Sequence, residues 1–208
     1  MPETLKNLKI SANIPRLGNR FSQWLGKTVL TLLGWKFEGQ FPSHSKMVIT
    51  VAPHTSNWDF VIGLAVVFAL RLKISFFGKH SIFIPPFRAL LVRWGGIPIE
   101  RSRSHGVVNQ MIDKIKDTDK MLLAVAPEGT RSKIFPWKSG FLHIAQQANV
   151  PVFLVGLDYQ QKSIVLGPVF QPSEDISLEM LKIYKFYAKV HAKFPAQVAF
   201  PAETSIEK

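Results

Sequence analysis

The sequence predicts an α/β domain with a central, largely parallel sheet flanked by helices and an amphipathic helix on its N-terminal side. Three observations predict it. Short β-branched or apolar runs alternate with helical periodicity along most of the chain, the pattern of strands joined by crossover helices. With 208 residues, 47% of them apolar and only 19% charged, the chain can bury a substantial core and is far from a disordered composition. No internal repeat, low-complexity stretch or linker-like shift divides it, so a single domain over residues 1–208 is expected.

Taken in order, residues 1–17 read as a loosely held end. Residues 18–34 place Phe21, Trp24, Leu25, Thr28 and Leu32 at helical spacing, an amphipathic helix whose apolar face either packs or touches lipid. Met47–Ala52 is a strand, followed by a helix after Ser56 and a second strand near Ile74–Phe77. The alternation continues with a strand at Ile97–Ile99, a helix at Ser104–Ile115, a strand at Met121–Ala126, a helix at Ser139–Ala148 and a strand at Val152–Leu157. A last basic helix, Ile176–Lys193, interleaves Leu178, Leu181, Tyr184 and Tyr187 with lysines, which suits a packed surface helix at least as well as a membrane-docking one. Residues 201–208 read as a second loose end.

The chain carries 26 Lys plus Arg against 14 Asp plus Glu, a net charge of +12. A polyanionic partner follows, either nucleic acid or anionic lipid headgroups, unless the charge serves solubility alone. The abundance of Phe, Trp, Leu and Ile favours the membrane surface. Without Cys there is no disulfide, thiolate metal site or cysteine nucleophile, and a reducing cytoplasm suits the chain. The start lacks a signal-peptide pattern. The longest uncharged apolar run, Phe60–Leu70, falls short of the roughly 20 residues that cross a bilayer. The expected location is cytoplasmic, peripheral on the inner face of the cell membrane.

The most informative stretch is Val51-Ala52-Pro53-His54-Thr55-Ser56-Asn57-Trp58-Asp59, where a strand runs out, turns and enters a helix. Strand ends in open α/β sheets are where ligands bind, so His54 is poised there as a general base. On a continuous helix Asp59 would lie about 140° away from it, so pairing requires the turn to bend the chain back. A carboxylate behind the imidazole would fix its tautomer and stabilise the imidazolium. The competing reading makes Ser56 a helix cap, Asp59 a first-turn acid and His54 an ordinary loop residue.

A second constellation, Ala126-Pro127-Glu128-Gly129-Thr130-Arg131-Ser132, also follows an apolar strand. Gly129 allows close backbone approach to an anion, Arg131 offers a fork matched to phosphate oxygens, and the Thr130 and Ser132 hydroxyls stand beside it. Glu128 either holds Arg131, binds an acceptor hydroxyl or forms a turn-capping ion pair. A third block, Gly95 through Arg103, ends a short strand in Arg101, a second candidate phosphate ligand. Val150-Pro151-Val152-Phe153 opens a strand with an apolar wall.

In order and spacing these four blocks resemble the glycerolipid acyltransferase family, over about residues 45–160. The family's His-x4-Asp motif corresponds to His54 and Asp59, its Gly-to-Arg block to Gly96 through Arg101, its Glu-Gly-Thr-Arg motif to Glu128 through Arg131, and its Val-Pro block to Val150–Val152. The resemblance implies that His54, backed by Asp59, deprotonates an acceptor hydroxyl while Arg101, Glu128, Gly129, Thr130 and Arg131 bind the acceptor. It implies an acyl-CoA or acyl-carrier-protein donor, a lysolipid acceptor such as 1-acylglycerol-3-phosphate, and no metal or other cofactor. Thr55-Ser56-Asn57-Trp58 fills the first block where many phosphate-acceptor members carry Gln or Arg and a second aromatic. Trp24, Phe60, Phe76, Phe77 and Phe87 are candidates for an apolar acyl path, against ordinary core packing.

Other classes fit less well. A basic nucleic-acid-binding domain would suit the charge, but paired RNP-like aromatics and Cys/His zinc spacing are missing. A serine hydrolase would need a Gly-x-Ser-x-Gly elbow, and a zinc hydrolase a paired His spacing. A catalytically inactive lipid-binding module carrying the same motifs is the remaining alternative.

Overall fold

The run Lys46–Ala52 (β2) is lined with apolar or small side chains on both faces, and it occupies the middle of the sheet. The computed structural model describes residues 8–99 and 104–204. Its other strands are β1 (Lys36–Gly39), β3 (Ile74–Lys79), β4 (Gly96–Ile99), β5 (Met121–Val125), β6 (Val152–Asp158) and β7 (Ser163–Phe170), in the spatial order β1-β7-β6-β2-β5-β3-β4. All neighbours are parallel except β6 and β7. The helices are α1 (Arg20–Leu32), α2 (Asn57–Leu70), α3 (Phe87–Arg93), α4 (Ser104–Lys116), α5 (Gly140–Gln147) and α6 (Ile176–Tyr187).

The strand repeat sorts side chains into two cores. Met47, Ile49, Leu122, Phe153 and Val155 face α1 and α2, meeting Leu30, Ile62, Ala65 and Ala69. Val48, Ala52, Leu123, Val152 and Leu154 face the other way, onto Ile112 and Ile115 of α4, Phe141 and Leu142 of α5, and Ile183 and Tyr187 of α6. Each fully buried Leu or Ile contributes roughly 1.5–3 kcal/mol of transfer free energy. The result is three layers, helices on both faces of a mostly parallel sheet.

Helices α1 and α2 pack backbone against backbone at Gly26, which has no side chain. A Cβ there would stand 2.5 Å from both the Ala65 carbonyl oxygen and the Ala69 nitrogen. With Gly26 and Leu30 turned inward, the residues whose spacing announced α1, Phe21, Trp24, Leu25 and Leu32, are exposed. Among the described residues no helix is long and apolar enough to cross a membrane.

Two expectations are corrected. The N-terminal segment is tied down where it is described: Ile14 is buried in the core, Arg16 bridges the backbone of Leu72, and the Arg16 guanidinium donates to the Leu70 carbonyl at 2.7 Å. The last helix stops at Tyr187 instead of reaching Lys193. Beyond it the chain turns back over the end of β6, where the Tyr159 nitrogen donates to the His191 carbonyl at 2.8 Å and Val190 and Ala192 are buried. Helix α6 itself packs, with Met180, Ile183, Tyr184 and Tyr187 inside.

Candidate active site

Three adjacent parallel strands end side by side: β6, β2 and β5. Each delivers one polar residue just past its last residue or turn, Tyr159 after β6, His54 after β2 and Glu128 after β5. Sequence separation conceals this arrangement, and strand order produces it.

His54 lies in the turn between β2 and α2. Its Nδ1 is 3.1 Å from Oδ2 of Asp59, and the ring is 28% exposed while the carboxylate is 3% exposed. The bend comes from the helix cap: Ser56 is the N-cap, and Asp59 Oδ2 also accepts from the Thr55 and Ser56 nitrogens, each at 2.8 Å. Capping and pairing are therefore one device. Asp59 Oδ1 accepts from the Tyr159 hydroxyl at 2.6 Å. Burial works to raise the Asp59 carboxyl, but hydrogen bonds from His54, Tyr159 and Ser56 outweigh it and hold the group below its ordinary range. An ionised carboxylate only accepts, so Nδ1 carries the hydrogen and the lone pair of the imidazole is on Nε2.

Glu128 is 6% exposed and points inward. Its Oε1 accepts from the His54 nitrogen at 2.8 Å, and its Oε2 is buried with no partner among the described residues. Burial pushes this carboxyl up to about 7, despite the opposing His54 hydrogen bond. Among the described residues no ion pair joins it to Arg131; it secures the backbone of the histidine turn.

Gly129 is left-handed, with φ 64°, and the Lys138 side chain lies across it: a Cβ there would be 3.3 Å from Lys138 Nζ. The loop is closed at its base by the Lys138 nitrogen donating to the Pro127 carbonyl and the Trp137 nitrogen donating to the Tyr184 hydroxyl. Thr130 Oγ1 accepts from the Ser132 nitrogen, and Arg131 is exposed. Arg101 lies outside the described residues.

Two cavities meet at His54. One of about 510 Å³ runs between the sheet and the α1–α2 pair, walled almost wholly by apolar side chains, and reaches His54 and Asp59. Phe60, Phe76 and Phe77 line it, whereas Trp24 and Phe87 are on the surface. The other, about 440 Å³, is more polar and is bordered by Gly129, Thr130, Arg131 and Lys138.

Sequence reasoning missed three residues. Lys138 is a basic residue near the Glu-Gly-Thr-Arg block and could have been flagged on charge alone. Tyr159 has no local signal, being 100 residues from its partner. Gln197, with its amide nitrogen turned toward the two carbonyls, donates to Thr55 and Arg131 at 2.8 Å each and links the two motif loops.

The α/β sheet thus carries a His–Asp pair at a strand end, between an apolar cavity and a basic pocket. The acyltransferase family model matches residues 35–157, and the chain belongs to that family. Relatives include the 1-acyl-sn-glycerol-3-phosphate acyltransferases of Limnanthes alba, 32% identical over 66% of this chain and 50% of that protein, and of Escherichia coli, 30% identical over 65% and 58%. That of Haemophilus influenzae is 29% identical over 64% and 58%. This chain thus spans between half and three-fifths of the length of these relatives. The fold resembles the crystal structure of the 1-acyl-sn-glycerophosphate acyltransferase PlsC from Thermotoga maritima, with a TM-score of 0.55 and 21% identity over 79% of this chain and 73% of that one.

Proposed function

We propose that this chain transfers a fatty acyl group from a thioester, carried by coenzyme A or acyl-carrier protein, to the hydroxyl of a lysophospholipid, 1-acylglycerol-3-phosphate being the first candidate. The observation that carries the reading is the position of His54 where the apolar cavity and the basic pocket meet. An acyl chain suits the first and a phosphate-bearing acceptor the second. The family relatives' activity points the same way.

In this reading Nε2 of His54 takes the proton of the acceptor hydroxyl as its oxygen attacks the thioester carbonyl. Collapse of the tetrahedral adduct breaks the C–S bond, and the imidazolium returns the proton to the departing thiolate. Asp59 stabilises the imidazolium, and general-base help of this kind supplies roughly 10²–10⁴-fold. Arg101, Gly129, Thr130 and Arg131 bind the acceptor, joined by Lys138, and Glu128 holds the histidine turn beneath it. The thioester is already activated, so the chemistry uses no cofactor beyond the donor. The enzyme works peripherally on the inner face of the membrane, where its lipid acceptor resides. The exposed Phe21, Trp24, Leu25 and Leu32 support that placement.

Mass spectrometry of lipids formed from palmitoyl-CoA and 1-acylglycerol-3-phosphate tests the reading. A diacylglycerol phosphate that forms with wild type and is absent with Arg131→Ala supports it. A free fatty acid as the sole product, from both proteins, would mean hydrolysis.

A further inference from the structure

Tyr159, Asp59 and His54 form an unbroken hydrogen-bonded chain that ends at the imidazole, and Tyr159 lies beyond the residues the family model matches. We infer that Tyr159 is a positioning residue that sets how strongly Asp59 holds the protonated imidazole of His54, through the hydrogen bond from its hydroxyl to Asp59 Oδ1. Its role in turnover rests on the reading of His54 as the base; the coupling itself does not.

The ring is fixed independently of that hydrogen bond. Trp35 meets it edge-on, with centroids 5.0 Å apart at 90°, and Lys193 Nζ stands 5.4 Å from its centroid while also lying 5.0 Å from the Trp58 ring. The hydroxyl is therefore aimed by packing, and Oδ1 has no other partner among the described residues. Burial and the adjacent Asp59 push the phenol far up, so it stays protonated and always donates. A carboxylate that shares its charge with a phenol proton attracts an imidazolium less strongly than a bare one does. Tyr159 thus moderates the hold of Asp59 on the imidazole.

Other charges face the pair from each side. Glu128 approaches from the end of β5, Lys193 from the C-terminal return, and Arg131 and Lys138 from the loop after β5. The Asp158–His191 pair, 2.9 Å apart, lies at the same end of β6. Tyr159→Phe keeps the ring that Trp35 and Lys193 meet and removes only the hydroxyl that bonds Asp59, so a comparison isolates it.

The experiment follows the His54 ring nitrogens by NMR across pH in the full chain without substrate, with His54→Ala to assign them. It is run on wild type, on Tyr159→Phe, and on protein carrying 3-fluorotyrosine at position 159, which keeps the ring and makes the hydroxyl a stronger donor. The His54 titration midpoint is expected to rise by roughly half to one pH unit in Tyr159→Phe and to fall with 3-fluorotyrosine. The acid limb of the pH profile of kcat/KM is expected to move with it. Should Tyr159→Phe fail to fold, the fluorinated protein alone decides the matter. An unmoved midpoint would overturn the inference, leaving Tyr159 a packing residue even if turnover fell. A moved midpoint in a protein that transfers no acyl group would uphold the coupling and overturn the proposed function instead.

Discussion

Replacing Glu128 with Gln should stabilise the protein, and by an amount that depends on pH. The carboxyl is buried with Oε2 unpartnered, so its midpoint stands at about 7 in the folded chain against an ordinary value of 4.5. Between those values the unfolded chain releases this proton and the folded chain keeps it, so folding stability falls as pH rises through that window. The stability is fully present below pH 4.5 and lost by about pH 7, a total of roughly 3 kcal/mol. Gln preserves the carbonyl oxygen that accepts from the His54 nitrogen and cannot ionise. Urea unfolding from pH 4 to 8 should therefore give matching midpoints for the two proteins at the acid end. Above pH 7 the variant should be favoured by about 3 kcal/mol, and ionisable groups remote from Glu128 cancel in the difference. A variant no more stable than wild type at pH 8 would refute the argument, showing that the Glu128 carboxylate is solvated or paired when ionised.

Three further outcomes follow from the packing and the pockets. Lys138→Met removes a cation stretched across Gly129, and should raise KM for a phosphate-bearing acceptor about 10- to 100-fold with little change in kcat in steady-state assays. Leu64 lines the apolar cavity, so Leu64→Trp should shorten the preferred acyl chain when donors of different length compete. Gly26→Ala forces a Cβ into the backbone of α2 and should cost about 1–3 kcal/mol by urea unfolding, with kcat retained at low temperature.

Much of the fold was legible because its longer elements advertise themselves by period. The strands and helices from Met47 to Leu157 were read within one or two residues, except α3, seven residues behind Pro85 and Pro86 and too short to show a helical repeat. Strand β1 has only four residues, Lys36–Gly39, two of them charged. Strand β7 carries Gly167 and Pro168, which normally argue against a strand; its pairing with β6 is irregular just there, between Phe153 and Val155, which accommodates them. The His54–Asp59 contact was legible because both residues lie within one capping turn. The environment of Glu128 was not, because nothing local says that β5 lies beside β2. Tyr159 and Gln197 reach the site only through tertiary structure, and Arg101 lies outside the described residues.

The most direct test of the account is thiol release from acyl-CoA by the purified chain, with and without 1-acylglycerol-3-phosphate, set against His54→Ala. Release should require the acceptor and fall at least about 100-fold in the variant. Acceptor-dependent release that survives in His54→Ala would contradict it, placing the base elsewhere.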